Sequence, residues 1–355
     1  MRKIIATLRL LHQTIGVRPQ HIFLFSFIAF NRMMVRLFAH RQSHMSGKPV
    51  FLMGHLRSGT TFLHRLLGKA DSLNGMTLQK MIFGTGRYGQ LVDMVLGKKL
   101  STLSLDKAYN PIIHKTGFDL LESDDIAFYF QRFGGLLYWI YFMAWKAYSS
   151  ERELEESIVK VLDDSQFLEV QEALYDSSGA PHQRMFSKSF FGIYQLEKLM
   201  NRYPDARFLV LVRDPKEVIP STLSLEVGIQ QKLSNFDHKP ANLQKRYIRN
   251  VYTQIKIYYD KLESHMHKGY SQVYFLRYEN LRNNLESSMQ TVIRFLELEH
   301  DHGLKEAIQN QLQQQPDYQS AHQYSLSEYG ISEQEIESDF RTYYLRKNQE
   351  GSHTS

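Results

Sequence analysis

The chain has 355 residues, 43% of them hydrophobic, with 43 Lys and Arg against 37 Asp and Glu and a net charge of +6. That apolar content is enough for a large buried core, and the cations are scattered among acids rather than massed in a run, which argues against a nucleic-acid partner. The chain contains no cysteine, so disulfides and thiolate metal sites are excluded and a reducing compartment, the cytoplasm, is the expected location.

From the N-terminus, residues 22–30 (IFLFSFIAF) form a strongly apolar run of nine, with Arg18, Arg32 and Arg36 close by. A spanning helix needs about 20 apolar residues, so the run does not cross a bilayer, and no small-residue cleavage site follows it as in a signal peptide. It reads either as a core helix with a basic face or as an amphipathic segment lying peripherally on the inner face of a membrane. Residues 49–53 (PVFLM) read as a buried strand ending at Gly54, after which Phe62, Leu63, Leu66 and Leu67 recur at helical spacing. Helices are expected at 151–164 and 243–263, and strands at 185–187, 207–212 (RFLVLV) and 273–276. A helix should follow 207–212 from Asp214-Pro215, Pro being favoured in a first helical turn. The Gln-rich residues 309–315 read as a frayed helix end. Strands alternating with helices predict one α/β domain, a P-loop-containing, doubly wound parallel sheet flanked by helices, with ligands at the carboxyl ends of the strands. Around it we place an N-terminal helical segment (1–45), the α/β body (46–300) and a C-terminal extension (301–355).

Residues 54–62 (GHLRSGTTF) have the glycine spacing of a phosphate-binding loop. In G-x-x-x-x-G-K-[ST] the Lys reaches the terminal phosphates of a triphosphate. Here Gly54 and Gly59 keep the separation, but Thr60 replaces the Lys. Backbone N–H groups and the positive end of the following helix favour a phosphate whatever the side chains are. Thr60 and Thr61 add hydroxyls, and Arg57 adds a planar fork suited to oxyanions. Such a loop can hold a single 5′-phosphate without magnesium; a bare strand-to-helix turn is the alternative.

Three segments, each following a strand, carry a family resemblance. Arg57-Ser58-Gly59-Thr60-Thr61, then Arg213-Asp214-Pro215-Lys216-Glu217-Val218 with Ser221, then Tyr278-Glu279-Asn280-Leu281 resemble in order the signatures [KR]-[ST]-G-T-[TS], R-[DN]-P-[KR]-[DE]-V and Y-E-[DN]-L. These belong to the sulfotransferases that use 3′-phosphoadenosine-5′-phosphosulfate (PAPS), in particular the bacterial-type branch acting on small or lipid alcohols. The resemblance implies that Arg57, Ser58, Gly59, Thr60 and Thr61 bind the cofactor, that Arg213 and Ser221 take its 3′-phosphate, and that a sulfuryl group passes to a hydroxyl of an apolar or lipid-like acceptor without a metal. The residues themselves agree with this. Arg213 emerges at the sheet edge that carries the Gly59 loop, and Ser221 lies eight residues on, about two helical turns away. A nucleotide with separate 3′ and 5′ phosphates needs two such oxyanion sites.

Sulfuryl transfer demands cations on the bridging oxygen and a base beside the attacking hydroxyl. Arg57 stands where the family's cytosolic branch carries a Lys, and it should act by charge and hydrogen bonding rather than as a proton donor. Lys188, in Phe186-Ser187-Lys188-Ser189, is similar to the second lysine of the K-[ST]-H segment and would donate to the sulfuryl oxygens; a solvated surface lysine is the alternative. Where that segment places its His, this chain has Phe190, which cannot take a proton. The base is therefore expected in residues 114–125, similar to an acidic segment of the lipid-alcohol branch, with Glu122 first and His114 second. The acids at 122–125 also fit a plain helix start. Residues 136–145 (LLYWIYFMAW), with Trp139 and Trp145, read as a buried helix or as the wall of an apolar acceptor pocket. Residues 322–330 also resemble that branch and are expected to fold over the nucleotide. No metal-ligand spacing occurs.

Two other readings remain open. A P-loop phosphotransferase akin to nucleoside-monophosphate kinases would turn over ATP with magnesium. A catalytically inactive nucleotide-binding or membrane adaptor, which Phe190 allows, would bind the bisphosphate nucleotide and modify no alcohol.

Overall fold

The apolar run before the glycine loop shows no alternation, as a strand covered on both faces requires, and β1 (Val50–Met53) is buried at every residue. It lies at the centre of a parallel sheet with β2 (Leu73–Asn74), β3 (Arg184–Ser189), β4 (Arg207–Val212) and β5 (Val273–Arg277), in the spatial order β2-β3-β1-β4-β5. The structure, a computed structural model, describes residues 2–38, 48–102, 117–162, 166–176, 180, 182–314 and 326–352. Four of the five strands are those expected from the sequence. The fifth, β2, is a two-residue edge strand, too short to leave a pattern.

Helices α1 (Arg2–Gln13) and α2 (Pro19–Leu37) precede β1, and α3 (Thr60–Leu67) follows it. Between β2 and β3 come α4 (Leu78–Phe83), α5 (Arg87–Thr102), α6 (Asp124–Arg132), α7 (Gly135–Phe142), α8 (Glu151–Leu162) and α9 (Gln166–Asp176). Helix α10 (Leu196–Arg202) joins β3 to β4, and α11 (Pro215–Ser234) and α12 (Ala241–Lys268) join β4 to β5. After β5 follow α13 (Tyr278–Asn283), α14 (Leu285–Leu296), α15 (His302–Gln314), α16 (Glu333–Asp339) and α17 (Arg341–Ser352).

The pleat of the sheet sorts the core into two layers. Val50, Leu52, Leu209 and Leu211 pack with Leu63 and Leu67 of α3 and Met289 and Val292 of α14. Phe51, Met53, Phe208 and Val210 face the larger layer, which holds α6, α7, α11 and α12. From β1 the chain turns towards β2 and β3, whereas from β4 it turns the other way, to β5. The crevice beyond the carboxyl ends of β1 and β4 is therefore the topological switch point, where open α/β sheets bind ligands.

The N-terminal run lies in α2, and one face of that helix is core, as the first of its two readings expects. His21, Phe25, Ile28 and Asn31 are buried, with the Phe25 ring edge-on to Phe133 at 5.2 Å and Phe142 at 5.3 Å. Asn31 Nδ2 donates to the Ile82 carbonyl at 2.8 Å, fixing α2 to α4. Ile22, Phe23, Phe30, Met33 and Leu37 are exposed. Among the described residues no helix is long and apolar enough to cross a membrane.

Candidate active site

The loop from β1 to α3 is held by close backbone approach. A Cβ at Gly54 would stand 2.6 Å from Thr60 Cγ2 and 2.9 Å from the Leu211 carbonyl oxygen, so β4 passes directly against the loop. Ser58 donates to the His55 carbonyl through both its N–H (3.1 Å) and its Oγ (2.6 Å). Arg57 (φ 67°) and Gly59 (φ 93°) are left-handed. At Arg57 this conformation costs about 1–2 kcal/mol. Arg213 Nη1 holds it by donating to the Arg57 carbonyl at 2.8 Å. At Gly59 a Cβ would meet the Tyr278 ring at 2.6 Å, which only glycine avoids.

The three segments singled out in the sequence therefore converge on one another. Arg57 Nε donates to Ser221 Oγ at 2.9 Å. The Arg213 guanidinium lies 4.4 Å from the Tyr278 ring centre and donates through Nε to Glu217 Oε2 at 2.7 Å. Asp214 caps α11 through the Lys216 N–H (2.9 Å) and accepts from Tyr344 (2.8 Å) and Lys347 (2.7 Å) of α17. The C-terminal helix thus closes on the second segment; residues 322–325 lie outside the described residues, and Leu326–Tyr329 forms a 3-10 turn. Tyr278, the first residue of the third segment, had no role assigned from the sequence, and here it packs against both Gly59 and Arg213.

Lys188 is not a surface lysine. It lies within β3, paired with Leu52, fully buried, with Nζ donating to Thr61 Oγ1 at 3.0 Å and standing 4.8 Å from the Phe190 ring centre. Burial lowers its ammonium to about 8, opposed by the negative charge of Glu122. Glu122 is 2% exposed, lines the cavity described below, and its Oε1 lies 3.3 Å from Nη2 of Arg65. Arg65 was missed in the sequence, though it sits one turn beyond Thr61 on α3 and so on the same helix face.

The next residues do form a helix start, and they point elsewhere. Ser123 caps α6. Asp125 accepts from the Phe190 N–H at 2.8 Å. Asp124 accepts from Gln171 (2.8 Å), Ser187 (2.6 Å) and Tyr175 (3.0 Å), and burial raises its carboxyl to about 7 against those bonds. Both aspartates brace β3 rather than the cavity. His114 lies outside the described residues, and no histidine lines the cavity among those described. His55, in the loop itself, is buried and pushed down to about 4 by desolvation, hence neutral.

A cavity of about 1620 Å³ opens over the loop. Arg57, Gly59, Thr60, Thr61, Arg213 and Tyr278 form its polar end. Leu24 and Phe27 of α2, Ile82 of α4, Phe130 of α6 and Leu225 of α11 form apolar wall, to which Phe190, beside Lys188, also belongs. Ser58, Lys188 and Ser221 stand one layer behind this lining. Both tryptophans of residues 136–145 are buried, with Nε1 of Trp139 donating to Ser157 (2.7 Å) and that of Trp145 to Gln230 (3.3 Å). From the same run Leu137 and Tyr141 reach the cavity, so it is core and wall at once. The arrangement offers hydroxyls and guanidinium groups to an oxyanion, and it sets the Glu122 carboxylate in the cavity wall near the buried Lys188.

Among the described residues no group of three or more His, Asp or Glu could hold a metal ion. The sequence profile of the sulfotransferase family matches residues 49–302. No curated protein matches the sequence. Among solved structures, the chain is similar to the sulfotransferase STF1 of Mycobacterium tuberculosis, at 16% identity over 96% of this chain and 91% of that one with a TM-score of 0.68. It is also similar to STF9 of Mycobacterium avium, at 18% identity over 90% and 80% with a TM-score of 0.66. At such identities the likeness is one of fold.

Proposed function

This chain belongs to the sulfotransferase family, and from that premise we propose that it moves a sulfuryl group from PAPS to a hydroxyl of an apolar, lipid-like acceptor. The observation that carries the proposal is the shared cavity, where an oxyanion end built on Arg57 and Arg213 is continuous with apolar wall. The donor set fits a bisphosphate nucleotide. Thr60, Thr61 and the N–H groups opening α3 would hold the 5′ side, while Arg213, with Ser221 behind it, would hold the 3′-phosphate. Bound there, PAPS supplies the activated sulfuryl group. Arg57 contributes fixed positive charge beside the loop. Lys188 contributes a buried ammonium that can hydrogen-bond developing negative charge. Glu122 Oε accepts the acceptor's hydroxyl proton, and Arg65 orients that carboxylate.

The N-terminal helices support a location at the inner face of a membrane. Residues 1–70 contain eleven Lys and Arg and no acid. The exposed Ile22, Phe23, Phe30, Met33 and Leu37 share one stripe of α2, and the neighbouring α5 adds exposed Leu91, Met94 and Val95. An apolar stripe flanked by cations fits an anionic bilayer surface. The adjoining face of α2 carries Leu24 and Phe27 into the cavity, so an acceptor could enter from the bilayer.

Incubating lipid extracts with the protein and PAPS labelled in the sulfuryl group, followed by mass spectrometry, tests the reading. A labelled sulfate ester is the expected product. Tight binding of adenosine 3′,5′-bisphosphate with no labelled ester from any extract would favour the adaptor instead.

A further inference from the structure

Glu226 of α11 lies in the apolar part of the cavity, beside Leu225 and Ile229, and is 1% exposed. Its Oε2 has no hydrogen-bond partner among the described residues. Burial is the one cause that shifts its carboxyl, raising it to about 8, so the group is neutral at pH 7. No cation contributes to that shift, neither Arg57 nor Lys188 nor Arg213. Its place on α11 is five residues past Ser221, about 7.5 Å further along the helix axis. A buried polar group without a partner destabilises a fold and persists where a ligand completes it.

We propose that Glu226 is a second recognition point for the acceptor, pairing with a hydroxyl carried in addition to the one that is sulfated. The acceptor is then an apolar molecule with at least two hydroxyls, one held near Glu122 and one at Glu226. This rests on the sulfotransferase reading for the word acceptor, but the site is defined by its own geometry. A neutral carboxyl has one O–H donor and one carbonyl acceptor, and a hydroxyl complements both. An ammonium would instead require the carboxyl to ionise in an apolar wall. Glu226 is set about one and a half helical turns past Ser221, further along α11 than the end where Arg57 and Arg213 lie.

Calorimetric titration of a homologous series of long-chain 1,ω-diols and the matching 1-alkanols, with adenosine 3′,5′-bisphosphate present, tests the assignment without any turnover. At one or more chain lengths the diol should bind at least about tenfold more tightly than the alkanol, since a site built to bond a hydroxyl discriminates against the analogue lacking it. Glu226→Leu should bring that ratio close to one while raising the thermal midpoint. Glu226→Gln, which keeps a donor and an acceptor, should retain most of the preference. Equal binding of diol and alkanol at every length, or a preference that survives in Glu226→Leu, overturns the proposal. So does a lowered midpoint for Glu226→Leu, which would mark a structural partner, or tighter binding of the ω-amino alcohols, which would mark a cation site. If the protein binds diols selectively yet sulfates nothing, the transferase reading falls and this one stands.

Discussion

Arg57 and Ser221 are 164 residues apart in the chain and joined by a hydrogen bond of 2.9 Å. Arg213, at the end of β4, returns a bond to the Arg57 carbonyl, so the glycine loop and the second segment are held together as one unit.

The 3′-phosphate should expose that unit. Arg213→Ala removes a charge-assisted donor worth about 1.5–3 kcal/mol, so adenosine 3′,5′-bisphosphate should bind roughly 10- to 100-fold more weakly. Adenosine 5′-phosphosulfate, which lacks the 3′-phosphate, should change much less. Equal losses for both nucleotides by calorimetry would mean that Arg213 only supports the loop through Arg57.

Glu122 is the expected base. Glu122→Gln keeps the shape, and nucleotide affinity should hold while turnover falls by about 10² or more, the scale of a positioned base. His114→Asn should cost much less. Parent turnover in Glu122→Gln, with normal nucleotide binding, would remove Glu122 from the mechanism.

Lys188 sets a pH limit. Its ammonium titrates near 8 because of burial, so a descending limb of turnover is expected there, and Lys188→Arg should move that limb upward. Glu122 holds the lysine's affinity for its proton up, so in Glu122→Gln the limb should shift downward. The folded lysine releases its proton below the unfolded value of about 10.4, so between those two pH values the unfolded chain binds more protons. Stability should therefore rise with pH over that window. Denaturant titrations at pH 8 and 10 compare the parent with Lys188→Met, which should lose the rise.

Asp124 is structural. Its Oδ2 accepts from Gln171 and Ser187, while Tyr175 meets Oδ1 and also donates to the Phe186 carbonyl at 2.9 Å. Asn satisfies the same set, with its amide donating to Tyr175. Asp124→Asn should cost no more than about 1 kcal/mol, and Asp124→Leu, which strands several buried donors, about 3 kcal/mol or more. Urea unfolding measures both. A raised carboxyl gives stability that is full below the unfolded value near 3.9 and is lost as pH rises to the folded value of about 7. The Asn variant should lack that decline.

The α2 stripe should bind anionic vesicles. Replacing Phe23, Phe30 and Leu37 together with Ser removes exposed side chains, Phe23 being 77% exposed. The thermal midpoint should stay within a few degrees while co-sedimentation with phosphatidylserine vesicles falls roughly tenfold or more. Unchanged co-sedimentation would sink the membrane assignment.

What the sequence determined by itself was local. A strand buried on both faces writes a continuous apolar run, a loop that must take positive φ keeps its glycine at Gly59, and Asp214-Pro215 announces a helix start. Each rests on residues a few positions apart, so α/β order, the phosphate loop and the place of Arg213 were all legible. Tertiary packing decided what no short window contains. Glu122 and Asp124 are two residues apart, yet one faces the cavity and the other braces β3, because that choice depends on where β3 and α9 lie. Lys188 could be a surface lysine by pattern and is a buried cation only because β3 is an interior strand. The three faces of α2, the joining of polar end and apolar wall in one cavity, and the burial of Glu226 follow from contacts between distant segments. Desolvation, which sets the proton affinities of Lys188, Asp124 and Glu226, exists only once those segments have met.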